Sequence, residues 1–290
     1  IRACDYPIRK RHASFLIGVR NADPRPAIVN TQIPHYSHSK GQTKKRKEMF
    51  EVPLQTLYDS DMHRPQFVKG EVYHIYNRGV EKRNIFADDN DRMRFLKSMR
   101  EFNTTAPAAA NPHRHPLFEV PLQTEGRPLV EIFAFCLMPN HYHFMIRQAT
   151  ENGITQFMRK LGTGYTNYFN LRHARVGPLF QGIFKAVLVE KEAHLTHLPH
   201  YIHLNPLDLS TPEWRDGTVR NTEKALLFLK KYRWSSLSDY MDASNFPKIV
   251  EKKFLTECIG HPEMFLTHMR EWIQEPSFDL IPPAILRTDV

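Results

Sequence analysis

The sequence predicts an α+β protein, an antiparallel β-sheet flanked by helices. Short β-branched and aromatic runs alternate with longer stretches of helical apolar spacing, in the order β-α-β-β-α-β-α. One run alternates clearly: Tyr142, Phe144 and Ile146 point to one side of a strand while His141, His143 and Met145 point to the other. A composition of 41% hydrophobic and 11% aromatic residues supplies a core and excludes wholesale disorder.

Each element has its own warrant. Glu71 to Tyr76 is short, β-branched and aromatic, as an edge or half-buried strand is. Asp88 or Asp89 can cap a helix in which Phe95, Leu96, Met99 and Phe102 share one face. A Pro, Ala and His-rich insertion follows, from about Asn103 to Pro128. Leu129 to Leu137 is an apolar strand, and Met138-Pro139-Asn140 leads straight into the alternating strand from His141 to Arg147. Glu151 to His173 reads as a helix, weakened in its middle by Gly162 and Gly164. Phe184 to Val189 is another strand. Lys191 to Leu204 is a helix or a pair of helical turns, because Pro199 suits only a first turn and predicts a start or kink just before Tyr201. Pro206 limits its continuation. Near the C-terminus, Phe265, Met269 and Trp272 mark an amphipathic helix that packs on the domain.

Charge and composition divide the chain. Of 290 residues, 40 are Lys or Arg and 31 are Asp or Glu, a net +9. Residues 1–61 hold 11 of the basic and 6 of the acidic residues and show no sustained apolar period. They are expected to form a basic, disordered N-terminal extension, or a translated leader with Met49 or Met62 as alternative starts. Residues 62–245 are expected to be the folded domain, interrupted by the insertion at 103–128, and residues 246–290 a C-terminal helical extension. The heptapeptide Phe50-Glu51-Val52-Pro53-Leu54-Gln55-Thr56 recurs unchanged as Phe118-Glu119-Val120-Pro121-Leu122-Gln123-Thr124. Two copies at unrelated spacing make no solenoid; the expected origin is in-frame capture of one short DNA element at both places. Cys4, Cys136 and Cys258 are odd in number and far apart, so neither a disulfide framework nor a thiolate zinc site is signalled. No run approaches the roughly 18 apolar residues of a membrane span, and the basic start lacks the apolar stretch of a secretory signal. The expectation is a soluble cytoplasmic protein with no membrane partner, whose positive balance opens a polyanionic one.

Three groups of residues could do chemistry. His141 and His143, two apart on a strand, place both imidazoles on one face about 6–7 Å apart at the backbone, where they could share a metal ion or be ordinary structural histidines. In Tyr201-Ile202-His203-Leu204-Asn205-Pro206, helical i, i+4 spacing presents a phenol and an amide together; a packed tyrosine and a C-terminal Asn cap explain the same residues. His194, His197, His200 and His203 recur every three residues and spiral around a helix, so they form no cluster on one face. Arg159, Lys160, Tyr165, Tyr168, Phe169, Arg172, His173 and Arg175 interleave basic and aromatic residues, which suits either a surface that grips phosphates and stacks bases or a core edge with a solvated face.

Met138-Pro139-Asn140-His141-Tyr142-His143 followed by Tyr201-Ile202-His203-Leu204-Asn205-Pro206 resembles the motifs of the single-tyrosine HUH transposases, specifically the IS200-like, REP-associated tyrosine transposase branch. Tyr73-His74-Ile75-Tyr76-Asn77-Arg78-Gly79, Gly177-Pro178-Leu179-Phe180-Gln181-Gly182 and Tyr232-Arg233-Trp234-Ser235-Ser236 support it, over about Gln66 to Tyr240. Ile183 stands where the family usually has Arg, and Leu207-Asp208-Leu209 replaces the usual small and basic residues.

The resemblance implies the HUH endonuclease fold, a ferredoxin-like sandwich, with Tyr201 as nucleophile and His141, His143 and Asn205 as ligands of a divalent metal, Mg²⁺ or Mn²⁺. It implies a substrate of single-stranded DNA carrying a REP-like hairpin, a nucleoid-associated location, and a monomer or homodimer. Arg78, Arg159, Lys160, Arg172, Arg175 and Lys185 are the expected DNA contacts. Attack on a phosphodiester needs charge neutralisation, which a cation held by two neutral imidazoles and an amide oxygen keeps available. The product would be a 5′-phosphotyrosine and a free 3′-OH, which conserves the bond for rejoining. The alternatives are a catalytically inactive, domesticated hairpin-DNA-binding protein and an unrelated H-x-H metallohydrolase, the latter lacking a convincingly placed acidic ligand.

Overall fold

The computed structural model describes residues 65–106, 126–241, 243, 245–246 and 248–281. The basic extension, both heptapeptide copies and most of the insertion lie outside the described residues. Four strands, β1 (Val72–Arg78), β2 (Val130–Met138), β3 (His141–Gln148) and β4 (Lys185–Leu188), form one sheet in the order β2-β3-β1-β4, with every neighbouring pair antiparallel. The helices α1 (Asp89–Phe102) and α2 (Gly153–Arg172) connect β1 to β2 and β3 to β4, each crossing over one intervening strand. This is the α+β antiparallel arrangement that the element order predicts, in the ferredoxin-like form that the resemblance implies. After β4 come α3 (Glu192–Leu204), two 3₁₀ turns (Asn205–Leu209 and Pro212–Asp216), α4 (Thr222–Lys231), α5 (Leu237–Tyr240), α6 (Lys252–Ile259) and α7 (Pro262–Gln274). Among the described residues no helix is long and apolar enough to cross a membrane.

The sheet separates two apolar layers. Tyr73, Ile75, Tyr142, Phe144 and Ile146 pack against α1 and α2, while Val72, Cys136, Met138 and Met145 face α3 and the helices beyond it. Both faces of β3 are therefore covered, and its histidines are buried with the apolar residues. α1 begins on Asp88, whose side chain accepts from the amide of Asp91. The glycines in α2 do not interrupt it: a Cβ on Gly164 would sit 2.6 Å from Cε2 of Phe102, so this glycine lets α1 approach.

Two C-terminal features finish the sheet. The block around Trp234-Ser235-Ser236 runs along the outer edge of β2, with Leu137 donating to the Trp234 carbonyl (2.9 Å) and Ser236 to that of Phe135 (3.0 Å). An otherwise unpaired strand edge is thereby satisfied. Phe254 of α6 stacks on Phe133 with ring centroids 4.3 Å apart, and Phe265 and Trp272 of α7 join the core around α3.

One expectation about α3 differs from what is found. The helix does not start at Pro199 but continues through it from Glu192 to Leu204. A proline there removes the bond to the Leu195 carbonyl, at a cost of about 3 kcal/mol. Full burial of Leu198, Ile202 and Leu204, with Leu195 nearly so, outweighs that penalty. The helix does stop ahead of Pro206, which enters a 3₁₀ turn at its first positions.

Candidate active site

Strand register assembles the site. His141 and His143 project from β3 toward α3, with ring centroids 5.0 Å apart and planes nearly perpendicular. Tyr201 comes down from α3 and places its ring 6.1 Å from that of His143, again edge to face. Asn205 lies one turn later. Its Nδ2 donates to the backbone carbonyl of Tyr201 at 2.7 Å, while its Oδ1 is buried without a hydrogen-bond partner among the described residues. The amide thus does cap the helix, and the cap itself turns the oxygen away from the helix. All four side chains come from one chain; His143, Tyr201 and Asn205 are fully buried.

The imidazole of His141 is oriented by its neighbour. Nδ1 lies 2.6 Å from Oδ1 of Asn140, whose Nδ2 in turn donates to the Lys82 carbonyl at 3.3 Å. An amide oxygen can only accept, so Nδ1 carries the proton and Nε2 presents a lone pair. For His143, Nδ1 faces Nε2 of His74 on β1 at 3.0 Å. Among the described residues no three His, Cys, Asp or Glu side chains are grouped to hold a metal ion. Two imidazoles and one amide oxygen nevertheless fit a divalent cation that completes its shell with phosphate oxygens and water. The orphaned Oδ1 of Asn205 is the observation that supports the fit, since a buried carbonyl oxygen is costly without a partner.

The expected DNA contacts separate into two sets. Arg78 pairs with His141 across the β1–β3 ladder, and Lys185 pairs with Tyr76 across β1–β4, so both belong to the face that bears the histidines. Arg159, Lys160, Arg172 and Arg175 lie on α2 or just after it, on the other side of the sheet. Arg172 grips Asp88 and Asp91 at 2.6 Å each, which lowers the Asp88 carboxyl to about 2 through that hydrogen bond and raises the guanidinium further. Lys160 donates to the carbonyls of Thr104 and Ala106 at the foot of the insertion, and Arg175 to Asn170. Arg159 is exposed. The aromatic partners Tyr165 and Phe169 are core, with the Tyr165 hydroxyl donating to the Ile85 carbonyl at 2.6 Å.

Three neighbours of the site were not singled out from sequence. His74 and Asn140 sit inside quoted motifs, but only strand pairing shows what they touch. Arg215 carries no local signal at all: its guanidinium lies 5.9 Å from the Tyr201 ring and 4.7 Å from that of Trp214, held there by Asp208 at 2.6 and 2.9 Å. Trp214 donates to the same carboxylate. Asp208 therefore recruits a cation from seven positions further on. Ile183 is 70% exposed two residues before Lys185.

Fold and site together define an α+β protein that presents paired strand histidines to a tyrosine and an asparagine on one helix. Residues 68–205 are similar to the family model described as Transposase IS200 like. No curated protein matches the chain. A solved structure described as a REP-associated tyrosine transposase bound to a REP hairpin is similar at 14% identity, over 67% of this chain and 93% of that one, with a TM-score of 0.40.

Proposed function

We propose that the protein is a metal-dependent endonuclease and strand transferase that acts on single-stranded DNA at a hairpin. The observation that carries this reading is the convergence of Tyr201 with two imidazoles and the orphaned Asn205 oxygen in one buried site. His141, His143 and Asn205 would hold Mg²⁺ or Mn²⁺, which when bound neutralises charge on the scissile phosphate as a Lewis acid.

The chain's own residues supply the rest. The Tyr201 phenol loses its proton to water admitted with the DNA as its oxygen bonds to phosphorus. The bond to the 3′-oxygen breaks, leaving a 3′-OH strand and a 5′-phosphotyrosine. Reversal by another 3′-OH rejoins DNA without ATP. Asn205 and Tyr201 ride on one helix end, so nucleophile and ligand move as a unit. Arg78 and Lys185 are assigned to phosphates at the cleavage point. Of the cations on or just after α2, exposed Arg159 is left for DNA that runs past the opposite face, because Lys160, Arg172 and Arg175 are already held by protein partners.

The test is covalent capture. Incubated with hairpin-bearing single strands and Mg²⁺ or Mn²⁺, the protein should form a denaturant-resistant adduct that Tyr201→Phe abolishes. An adduct that survives in Tyr201→Phe overturns the nucleophile assignment. Exposed Ile183, where the family has Arg, favours one second reading, a hairpin binder without cleavage. Tight hairpin binding with no adduct under any divalent cation would select it.

A further inference from the structure

His74 takes no part in the chemistry described so far, yet it is fully buried on the face of β1 that carries the site. Its Nε2 lies 3.0 Å from Nδ1 of His143, and the two ring planes differ by 6°. The ring centres are 5.1 Å apart, close to what the N–N contact and one ring radius on each side add up to. The imidazoles therefore meet edge to edge in a shared plane, the geometry of an in-plane N–H to lone-pair hydrogen bond. Tyr76, the cross-strand partner of His143, holds this plane: its ring is tilted 24° from both imidazoles, at 5.1 Å from His74 and 6.2 Å from His143.

Such a bond has a direction, and the direction matters. If His143 donates from Nδ1, its Nε2 is a lone pair. If His74 donates instead, the proton of neutral His143 sits on Nε2 and that atom cannot bind a cation. We propose that His74 is a positioning residue: it accepts the Nδ1 proton of His143, carries its own proton on Nδ1, and so holds the Nε2 lone pair of His143 toward Asn205 and His141. The metal-binding purpose of that lone pair rests on the function proposed above, whereas the tautomer does not. His141 receives the same service from the acceptor-only oxygen of Asn140. The two ligand histidines are thus set by different chemistry, one by an amide and one by an imidazole. Partners of this kind orient metal-binding histidines and typically contribute 10–100-fold to affinity.

The experiment uses full-length protein labelled with ¹⁵N-histidine, free of metal and at mildly alkaline pH. Two-bond ¹⁵N–¹H correlations distinguish the tautomers, and His143→Gln assigns the His143 signals by their loss. A proton on Nδ1 of His143 is expected, and a proton on Nε2 overturns the proposal. In His74→Phe, which fills the space but accepts nothing, the Nδ1 tautomer should lose its dominance. Mn²⁺ affinity should then fall about 10–100-fold, while His74→Gln, which keeps an acceptor near the position of Nε2, should recover most of it. Metal-free hairpin binding and thermal unfolding identify any variant that fails to fold. Wild-type protein that binds no Mn²⁺ at His141 and His143 defeats the metal reading and with it the purpose assigned to His74. Equal Mn²⁺ affinity in wild type and a folded His74→Phe defeats the role of His74 alone.

Discussion

Acid should destabilise the helix that carries Tyr201, by an amount that follows from two of its histidines. His200 and His203 are fully buried, and desolvation pushes each imidazole down to about 3. In His200 the proximity of His268 adds to the effect. In the unfolded chain each returns to about 6.5. Between those values the unfolded state binds more protons than the folded one, so the stability present above pH 6.5 is lost as pH falls. At pH 5.5 the unfolded state gains RT ln(1 + 10), about 1.4 kcal/mol per histidine and about 2.8 kcal/mol for the pair. That is a large part of a typical stability of about 5–15 kcal/mol. Urea unfolding followed by circular dichroism at pH 7.5, 6.5 and 5.5 measures it. His200→Gln should remove close to half of the pair's contribution, which separates this effect from every other titrating group. Wild-type stability that stays flat from pH 7.5 to 5.5, or an unchanged slope in His200→Gln, would refute the reasoning.

Other perturbations have equally definite outcomes. Asn205→Ala removes both the cap on the Tyr201 carbonyl and the orphaned oxygen, so calorimetry should show weakened Mn²⁺ binding together with a loss of about 1 kcal/mol in stability. Gly164→Ala should destabilise by about 1–3 kcal/mol because the new Cβ meets Phe102. Gly162→Ala, where a Cβ meets nothing within 4 Å, should stabilise by up to about 1 kcal/mol. Arg78→Gln should weaken single-strand binding and reduce its salt slope by about one charge, and adduct formation should tolerate Arg159→Gln. Fluorescence anisotropy across a salt series and the adduct gel check the two arms.

Local pattern carried the strands and helices a long way. The alternation of Tyr142, Phe144 and Ile146 with His141, His143 and Met145 reports a physical fact, that successive side chains leave a strand on opposite faces. Pairing was a different matter. His74 and His143 are 69 positions apart, and nothing near either residue signals that β1 and β3 lie side by side. The same limit hides Arg215, which reaches Tyr201 only because Asp208 folds back over two 3₁₀ turns. Pro199 misled because intrinsic preference was the only information at that point, and the buried neighbours that override it belong to other elements. On α2, basic residues next to aromatic ones read as a ligand surface. Their carboxylate partners Asp88 and Asp91 stand more than 80 positions away, and folding consumed Arg172 in holding α1 and α2 together.

The complete burial of Tyr201 under Trp214 and Arg215 bears on timing. A phenol with no solvent exposure meets a phosphate only after its surroundings part, so on the proposed reading the rate of adduct formation contains an opening step. At saturating DNA that rate should level off at the frequency of opening, whatever the strand concentration. The same enclosure acts after cleavage. Once the walls close again, a phosphotyrosine bond is shielded from bulk water, and an incoming 3′-OH that binds in its place has little competition from hydrolysis. On the proposed reading, a shut chamber around Tyr201 would thereby bias the reaction toward resealing DNA over leaving it broken.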